Sequence, residues 1–285
     1  MCFNDQFYSL KMTWTGQALI RVLLPNFAQA KNSNLLSHHG SFNPIGQPFT
    51  ILSLVDSTNN YAMGQVQAGL AQHGAAWFAH EQTAGKGQRN KQWLTNPSEN
   101  ILLSAVLQPF TVSASEQFLL SASIALATCD FYKNYAGDET SIKWPNDLYW
   151  RDRKAGGVLI ENSFRGSEWL FAIAGIGINI NQTRFDPSLP NPVSLKQITG
   201  KQFNVIQLAR ELCTSLENRF QQLLSSGKET ILKQYEAVMY KRDQTVTLKK
   251  DGKTFEAIIQ GVSPTGKLIA GQRQFDFNEV EWVIE

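Results

Sequence analysis

Short apolar runs bounded by turn residues fill the first two thirds of the chain, and their period assigns the elements. Residues 49–55, 75–81 and 100–107 read as strands, the last apolar enough to be buried on both faces. Between the first two, residues 59–70 read as a helix, with Ser57 or Thr58 placed to cap its free N–H groups. From 115 to 132, Phe118, Leu119, Ala122, Ile124, Ala125, Leu126, Cys129 and Phe131 make a helix that is apolar nearly all round, which predicts a central buried helix. Residues 141–144 and 148–150 predict a hairpin with Asn146 and Asp147 at its tip. A second hairpin is predicted from 157–164 and 168–180 across Arg165-Gly166-Ser167. In its second strand the bulky residues are odd-numbered up to Ile173 and even-numbered from Ile176, which predicts a bulge at Gly175.

Val205, Leu208, Ala209, Leu212, Leu216, Phe220 and Leu223 then recur at helical spacing, and 230–240 continues as a shorter helix. Beyond Arg242 the pattern becomes short and alternating, at 245–249, 255–260, 266–270, 274–277 and 280–284, with turns at Asp251-Gly252 and Pro264-Thr265-Gly266. These readings divide the chain into three parts. Residues 1–48, ending in a stretch rich in Asn, Ser, His, Gly and Pro, form a poorly ordered extension; 49–240 form an α+β domain, a mixed sheet packed with helices; 241–285 form a small all-β domain.

Composition narrows the function without naming it. At 285 residues, 42% hydrophobic and 18% charged, the chain can bury one large core and one small one. A net charge of +2 is too small for nucleic-acid binding by bulk electrostatics, so anion recognition must be local. No uninterrupted apolar run approaches the roughly 18 residues that span a bilayer. Ala28-Gln29-Ala30 looks like a leader cleavage site, but Arg21 interrupts the apolar stretch before it. Cys2, Cys129 and Cys213 are odd in number and in no metal-ligand spacing, which suits a reducing, cytoplasmic compartment.

Local clustering is concentrated in one segment. Between His80 and Trp93 a glycine-punctuated loop leaves a strand; Gly85 and Gly87 permit close backbone approach, while Lys86, Arg89 and Lys91 supply three cations within six positions. Alone, it reads equally as a solvated turn or as a seat for a polyanion. No Gly-x-x-x-x-Gly-Lys-[Ser/Thr] sequence occurs, which removes the P-loop enzymes. Gly85-x-Gly87-x-x-Asn90 lacks the third glycine of a dinucleotide site, and the histidines at 38, 39, 73 and 80 lack metal spacing.

Taken in order, Val55-Asp56-Ser57-Thr58-Asn59, this glycine loop, Lys143-Trp144-Pro145-Asn146-Asp147, Lys154-Ala155-Gly156-Gly157 and Gly175-Ile176-Gly177-Ile178-Asn179 resemble the biotin protein ligases, or biotin–[acetyl-CoA-carboxylase] ligases. The resemblance runs from about Phe49 to the C-terminus. It implies a biotin/lipoate ligase-like catalytic domain followed by an SH3-like β-barrel, in the form without an N-terminal DNA-binding domain. The implied reaction joins biotin to ATP as biotinyl-5′-adenylate, with magnesium on the nucleotide, and transfers biotin to a lysine of the biotin carboxyl carrier protein of acetyl-CoA carboxylase. The expected partners are that carrier, no nucleic acid and no membrane, in a monomer or homodimer.

Residue by residue, the resemblance makes Lys154 the catalytic cation between biotin carboxylate and α-phosphate, with Arg89 as a second catalytic residue. Ser57, Thr58, Asn59, Gln82, Gly85, Lys86, Gly87, Lys154, Gly157 and Gly177 match positions at the biotin site. Lys86, Gln88, Arg89, Trp93, Asn146, Asp147, Lys154 and Asn179 match nucleotide-binding positions, with Trp93 stacking on adenine and Asp147 holding magnesium. Without the motif Lys154 reads first as a surface lysine flanked by Arg151, Asp152 and Arg153, and Asp147 equally as a turn aspartate. Lys86, Gln88 and Asn90 depart from the family's usual arginines and third glycine. Lysine loses the bidentate fork, Gln88 drops a charge, and Asn90 tolerates a left-handed backbone better than most residues, which would preserve the loop shape. Two other readings share the fold: a lipoate or octanoate ligase or transferase, and a biotin-binding regulator with little catalysis.

Overall fold

The computed structural model describes residues 43–283 apart from Ser226. Expectations placed on residues 1–42, including the leader and the DNA-binding question, lie outside the described residues. In chain order the elements are β1 (Phe49–Leu52), α1 (Thr58–Gln67), β2 (Ala76–Ala79), β3 (Asn100–Leu107), α2 (Gln117–Ala136), β4 (Thr140–Lys143), β5 (Asp147–Trp150), β6 (Arg153–Arg165), β7 (Glu168–Asn179), α3 (Leu195–Thr199), α4 (Val205–Ser225) and α5 (Lys228–Ala237). The seven strands form one mixed sheet in the order β1-β2-β3-β7-β6-β5-β4, with only β1 and β2 parallel.

Each residue of β3 is buried because the strand lies inside this sheet with helices on both faces. On one face sits α2, buried on all sides as its sequence requires, with the stripe Leu208, Leu212, Leu216, Phe220 and Leu223 of α4 in the same core. On the other face α1 covers Trp77, Val106 and Ile173. No helix among the described residues is long and apolar enough to cross a membrane.

The two-sided burial also corrects the expectation of a bulge at Gly175. The pairing of β7 with β3 runs unbroken from Asn179 to Ala172, and the register shift in the hairpin falls at Ser163/Phe164 instead. Even-numbered Ala172, Ala174, Ile176 and Ile178 join the α2 core, whereas Ile173 lies under α1. The odd face then loses its bulk at Gly175 and Gly177 because other side chains occupy that space. A Cβ on Gly175 would overlap Asn59, and one on Gly177 would sit 2.5 Å from the Trp93 ring. The change of pattern therefore marks a chamber, without any slip in register.

Two further expectations shift. Residues 43–48, read as the end of the extension, lie against the fold: Ile45 is 4% exposed, its N–H donates to Glu217 Oε2 at 2.8 Å, and Gly46 N–H donates to Gly74 O. Ser57 occupies the cap position of α1 with extended dihedrals, yet its side chain makes no capping bond. The first helical N–H, on Thr58, donates to Gln82 Oε1 at 2.7 Å, so the cap comes from outside the helix.

After α5 the chain forms β8 (Thr245–Lys250), β9 (Lys253–Val262), β10 (Leu268–Ala270), β11 (Arg273–Phe275) and β12 (Glu281–Trp282). They make a separate antiparallel sheet in the order β11-β10-β9-β8-β12, a five-stranded unit consistent with an SH3-like fold. This sheet packs on the seven-stranded domain through Trp144, whose Nε1 donates to Gly266 O at 2.9 Å and whose ring stacks on Phe277.

Candidate active site

Two chambers meet at one ion pair. The first, of about 510 Å³, lies on the odd face of β7 and is bounded by the start of α1, Gln82, Trp93, Gly157, Gly175 and Gly177. Its polar end is a closed hydrogen-bond network: Gln82 Oε1 accepts from both the N–H and the hydroxyl of Thr58, at 2.7 and 3.0 Å. The Ser104 hydroxyl lies 2.7 Å from Thr58 Oγ1 and 2.6 Å from Asn59 Oδ1, and Asn59 Nδ2 donates to Glu161 Oε2 at 2.7 Å. Glu161 Oε1 in turn accepts from Lys86 Nζ at 3.0 Å, which holds the glycine loop over the chamber.

The loop itself is a tight hairpin. Gly87 N–H donates to Lys91 O and Trp93 N–H to Gly85 O. A Cβ on Gly85 would come within 2.5 Å of Trp93 O, so the close approach of the two limbs requires glycine there. Arg89 takes a left-handed conformation (φ 56°, ψ 39°). This conformation is uncommon outside glycine. It carries the Arg89 guanidinium away from the loop and onto the second sheet, where Nη2 donates to Phe277 O (2.6 Å) and Val280 O (3.1 Å), and Nη1 lies 3.5 Å from Glu281.

Lys154 and Asp147 form the junction, with Lys154 Nζ donating to Asp147 Oδ1 at 2.7 Å. Asp147 is the first residue of β5, opposite Lys143, so the hairpin tip comprises residues 144–146 and the carboxylate stands on a paired strand. Gly157 leaves room for the pair, since a Cβ there would lie 3.2 Å from Asp147 Oδ1. Beyond the pair the second chamber, of about 800 Å³, is lined by Gln88, Arg89, Lys91, Lys143, Asn146 and, from the second sheet, Phe277, Val280, Glu281 and Trp282. Burial pushes the Lys143 ammonium down to about 8, with Asp147 opposing that shift and Lys154, Lys91 and Arg89 adding to it.

Three buried polar atoms along these walls have no hydrogen-bond partner: Trp93 Nε1 at the first chamber, Asn146 Oδ1 and Trp282 Nε1 at the second. A buried donor or acceptor left unpaired costs about 1–3 kcal/mol. Asn146 Nδ2 is already committed to Val158 O, which fixes the direction of the orphaned oxygen.

The family comparison matches the chain over residues 51–179 to the biotin/lipoate A/B protein ligase family, which takes in all five motifs whole and every residue around the two chambers except those of the second sheet. Residues 51–179 are a biotin/lipoate A/B protein ligase domain. The chain is 27% identical over 229 residues to the bifunctional ligase/repressor BirA of Escherichia coli, covering 80% of this chain and 70% of that one. To the biotin–[acetyl-CoA-carboxylase] ligase of Paracoccus denitrificans it is 29% identical, covering 77% and 92%. In fold it is similar to the biotin protein ligase from Aquifex aeolicus in complex with biotin and ATP, with TM-score 0.66, 21% identity and coverage of 83% and 95%.

Within this ligase domain the structure gathers Ser57, Thr58, Asn59, Gln82, Lys86, Gly87, Lys154, Gly157 and Gly177 around the first chamber, and Gln88, Arg89, Asn146, Asp147 and Lys154 around the second. Trp93, expected at adenine, turns its ring to the first chamber beside Gly177, 5.8 Å from Lys154 Nζ. Gly85 lines an outer groove beside the loop. Asn179 lines neither chamber; it is buried and donates to Val193 O at 3.2 Å, bracing the segment before α3. Sequence reasoning missed Ser104, Glu161, Lys143 as a lining residue, and Trp282. Of these only Glu161 carried a signal, as an acid inside an otherwise apolar strand pattern.

Proposed function

We propose that this chain activates biotin with ATP as biotinyl-5′-adenylate and transfers the biotinyl group to a lysine of a biotin carboxyl carrier protein in a cytoplasmic setting. The observation that carries the reading is the meeting of a chamber lined mainly by hydroxyl, amide, glycine and apolar groups with a cation-lined one at Lys154 and Asp147. Biotin is a neutral fused ring bearing a carboxylate tail, so it suits the first chamber with its acid directed to Lys154. The nucleotide suits the second.

In the first step a carboxylate oxygen attacks the α-phosphorus; the new P–O bond forms as the bond to the bridging oxygen breaks, and the electron pair leaves with pyrophosphate. Lys154 neutralises charge on both reactants and aligns them, while the ion pair to Asp147 fixes its direction. In the second step the carrier's lysine amine attacks the acyl carbon of the mixed anhydride, AMP departs and an amide remains. The described residues hold no cluster of three or more potential metal ligands, so a magnesium ion has no all-protein cage here. Asp147 fits the usual alternative, a single carboxylate that holds the ion while phosphate and water oxygens complete its shell; bound there, magnesium would neutralise phosphate charge.

The test is direct. The chain is mixed with ATP, magnesium, a biotin carrier domain and either biotin or lipoate, and carrier mass is followed. Gain of the biotinyl mass supports the reading; gain of lipoyl mass without biotinyl mass overturns it, and biotin binding with no adenylate would leave a binding protein.

A further inference from the structure

Lys143 stands in the second chamber as a cation in need of an anion. It ends β4, its side chain is half-buried, and among the described residues no carboxylate lies within ion-pair distance of its ammonium. Its contacts are the Tyr149 hydroxyl at 3.3 Å and the ring faces of Tyr149 and Trp282, 5.1 and 5.7 Å from Nζ. The other cations of the chamber are accounted for differently: Lys154 is paired with Asp147, Arg89 with Glu281 and two carbonyls, and Lys91 is exposed. Four cations thus share this chamber with two carboxylates. A partly desolvated ammonium held only by a hydroxyl and aromatic faces is costly unless an anion joins it.

We propose that Lys143 binds the pyrophosphate end of the nucleotide and takes up the negative charge that collects on that leaving group. The inference rests on the ligase reading above and deepens it. Three points favour this end of the nucleotide. Under the ligase reading Lys154 serves the carboxylate and the α-phosphate, Lys143 stands on β4 across β5 from Lys154's strand while lining the same chamber, and the chamber wall around it is cationic. As the bond from the α-phosphorus to the bridging oxygen breaks, the electron pair passes onto the pyrophosphate, and a nearby fixed ammonium stabilises that state more than the intact triphosphate. The aromatic contacts give the same side chain a second task, because Trp282 belongs to the second sheet: seating the lysine depends on that sheet being in place.

The experiment uses the full chain and inorganic pyrophosphate as probe. Lys143→Met keeps the length and packing of the stem while deleting the charge, and Lys143→Arg restores it. Calorimetry is expected to show pyrophosphate affinity lowered about tenfold or more in K143M and held within about threefold in K143R, with biotin affinity unchanged. Equal pyrophosphate affinity in K143M and the unaltered chain overturns the proposal, as does a parallel fall in pyrophosphate and biotin affinity, which would mark a merely structural lysine. If K143M fails to fold, a crystal structure of the unaltered chain with pyrophosphate decides: phosphate oxygens about 3 Å from Lys143 Nζ sustain the proposal, and phosphate seated elsewhere overturns it. Biotin-dependent exchange of pyrophosphate into ATP by the unaltered chain tests the ligase reading separately, so its absence would sink that reading while calorimetry still decides Lys143.

Discussion

Lys154 Nζ donates to Asp147 Oδ1 at 2.7 Å, joining the two chambers through residues brought together by the pairing of β5 and β6. Each partner limits what the other can do. The carboxylate directs the ammonium, and the ammonium occupies one of the two oxygens that could serve a metal.

The pair makes Lys154→Ala a test of chemistry more than of binding. Removing a group that stabilises charge mainly in the transition state lowers turnover about a hundredfold to a thousandfold, with a much smaller change in biotin affinity. Single-turnover formation of the adenylate, set beside biotin calorimetry, checks this. Turnover preserved within a few-fold would remove Lys154 from the catalytic role.

Arg89 differs because its guanidinium is committed to the second sheet. Arg89→Ala is expected to weaken binding of a stable biotinyl-adenylate analogue by about tenfold more than binding of free biotin, since the lost charge-assisted bonds seat the loop beside the second chamber. Calorimetry with both ligands gives the ratio. Equal losses would mean that the loop serves biotin and adenylate alike.

Gly177 tests the shape of the first chamber. A side chain there collides with the Trp93 ring, and overpacking of this kind costs about 1–3 kcal/mol. Gly177→Val is expected to lower biotin affinity about tenfold or more and to alter the tryptophan emission spectrum, while circular dichroism stays unchanged. Unaltered biotin affinity would place the ligand away from this face.

The sequence was most legible where one requirement dominates. The period of β3 and α2 showed their burial, and the five motifs carried the elements that converge on the chambers, because Lys154, Gln82 and Ser57 sit in short stretches whose composition serves the ligand as well as the backbone. What escaped was partnership across distance. Glu161 reaches Lys86 and Asn59 from another strand, Ser104 lies inside a fully apolar-looking run, and Trp282 arrives from the second sheet. The supposed bulge at Gly175 failed for the same reason: the missing bulk belongs to Asn59 and Trp93, which local periodicity cannot see.

His73 gives a prediction about stability. Burial lowers its pKa below the usual 6.5, with Glu217 opposing, and its Nδ1 accepts from the Gln108 N–H at 3.1 Å. The unfolded chain therefore binds this proton more readily than the folded one. Stability from His73 is fully present above the unfolded pKa of about 6.5 and declines as pH falls below it. The melting temperature of the unaltered chain should drop between pH 7.5 and 5.5 by more than that of His73→Gln, and equal drops would discount the histidine.

The contact from Arg89 to the carbonyl of Phe277 spans 188 positions of the chain. During synthesis the glycine loop emerges 188 residues ahead of the first carbonyl that seats its arginine. A nascent chain carrying every motif is thus still without a seated loop, and a chain cut before Phe277 would strand that arginine without its anchors.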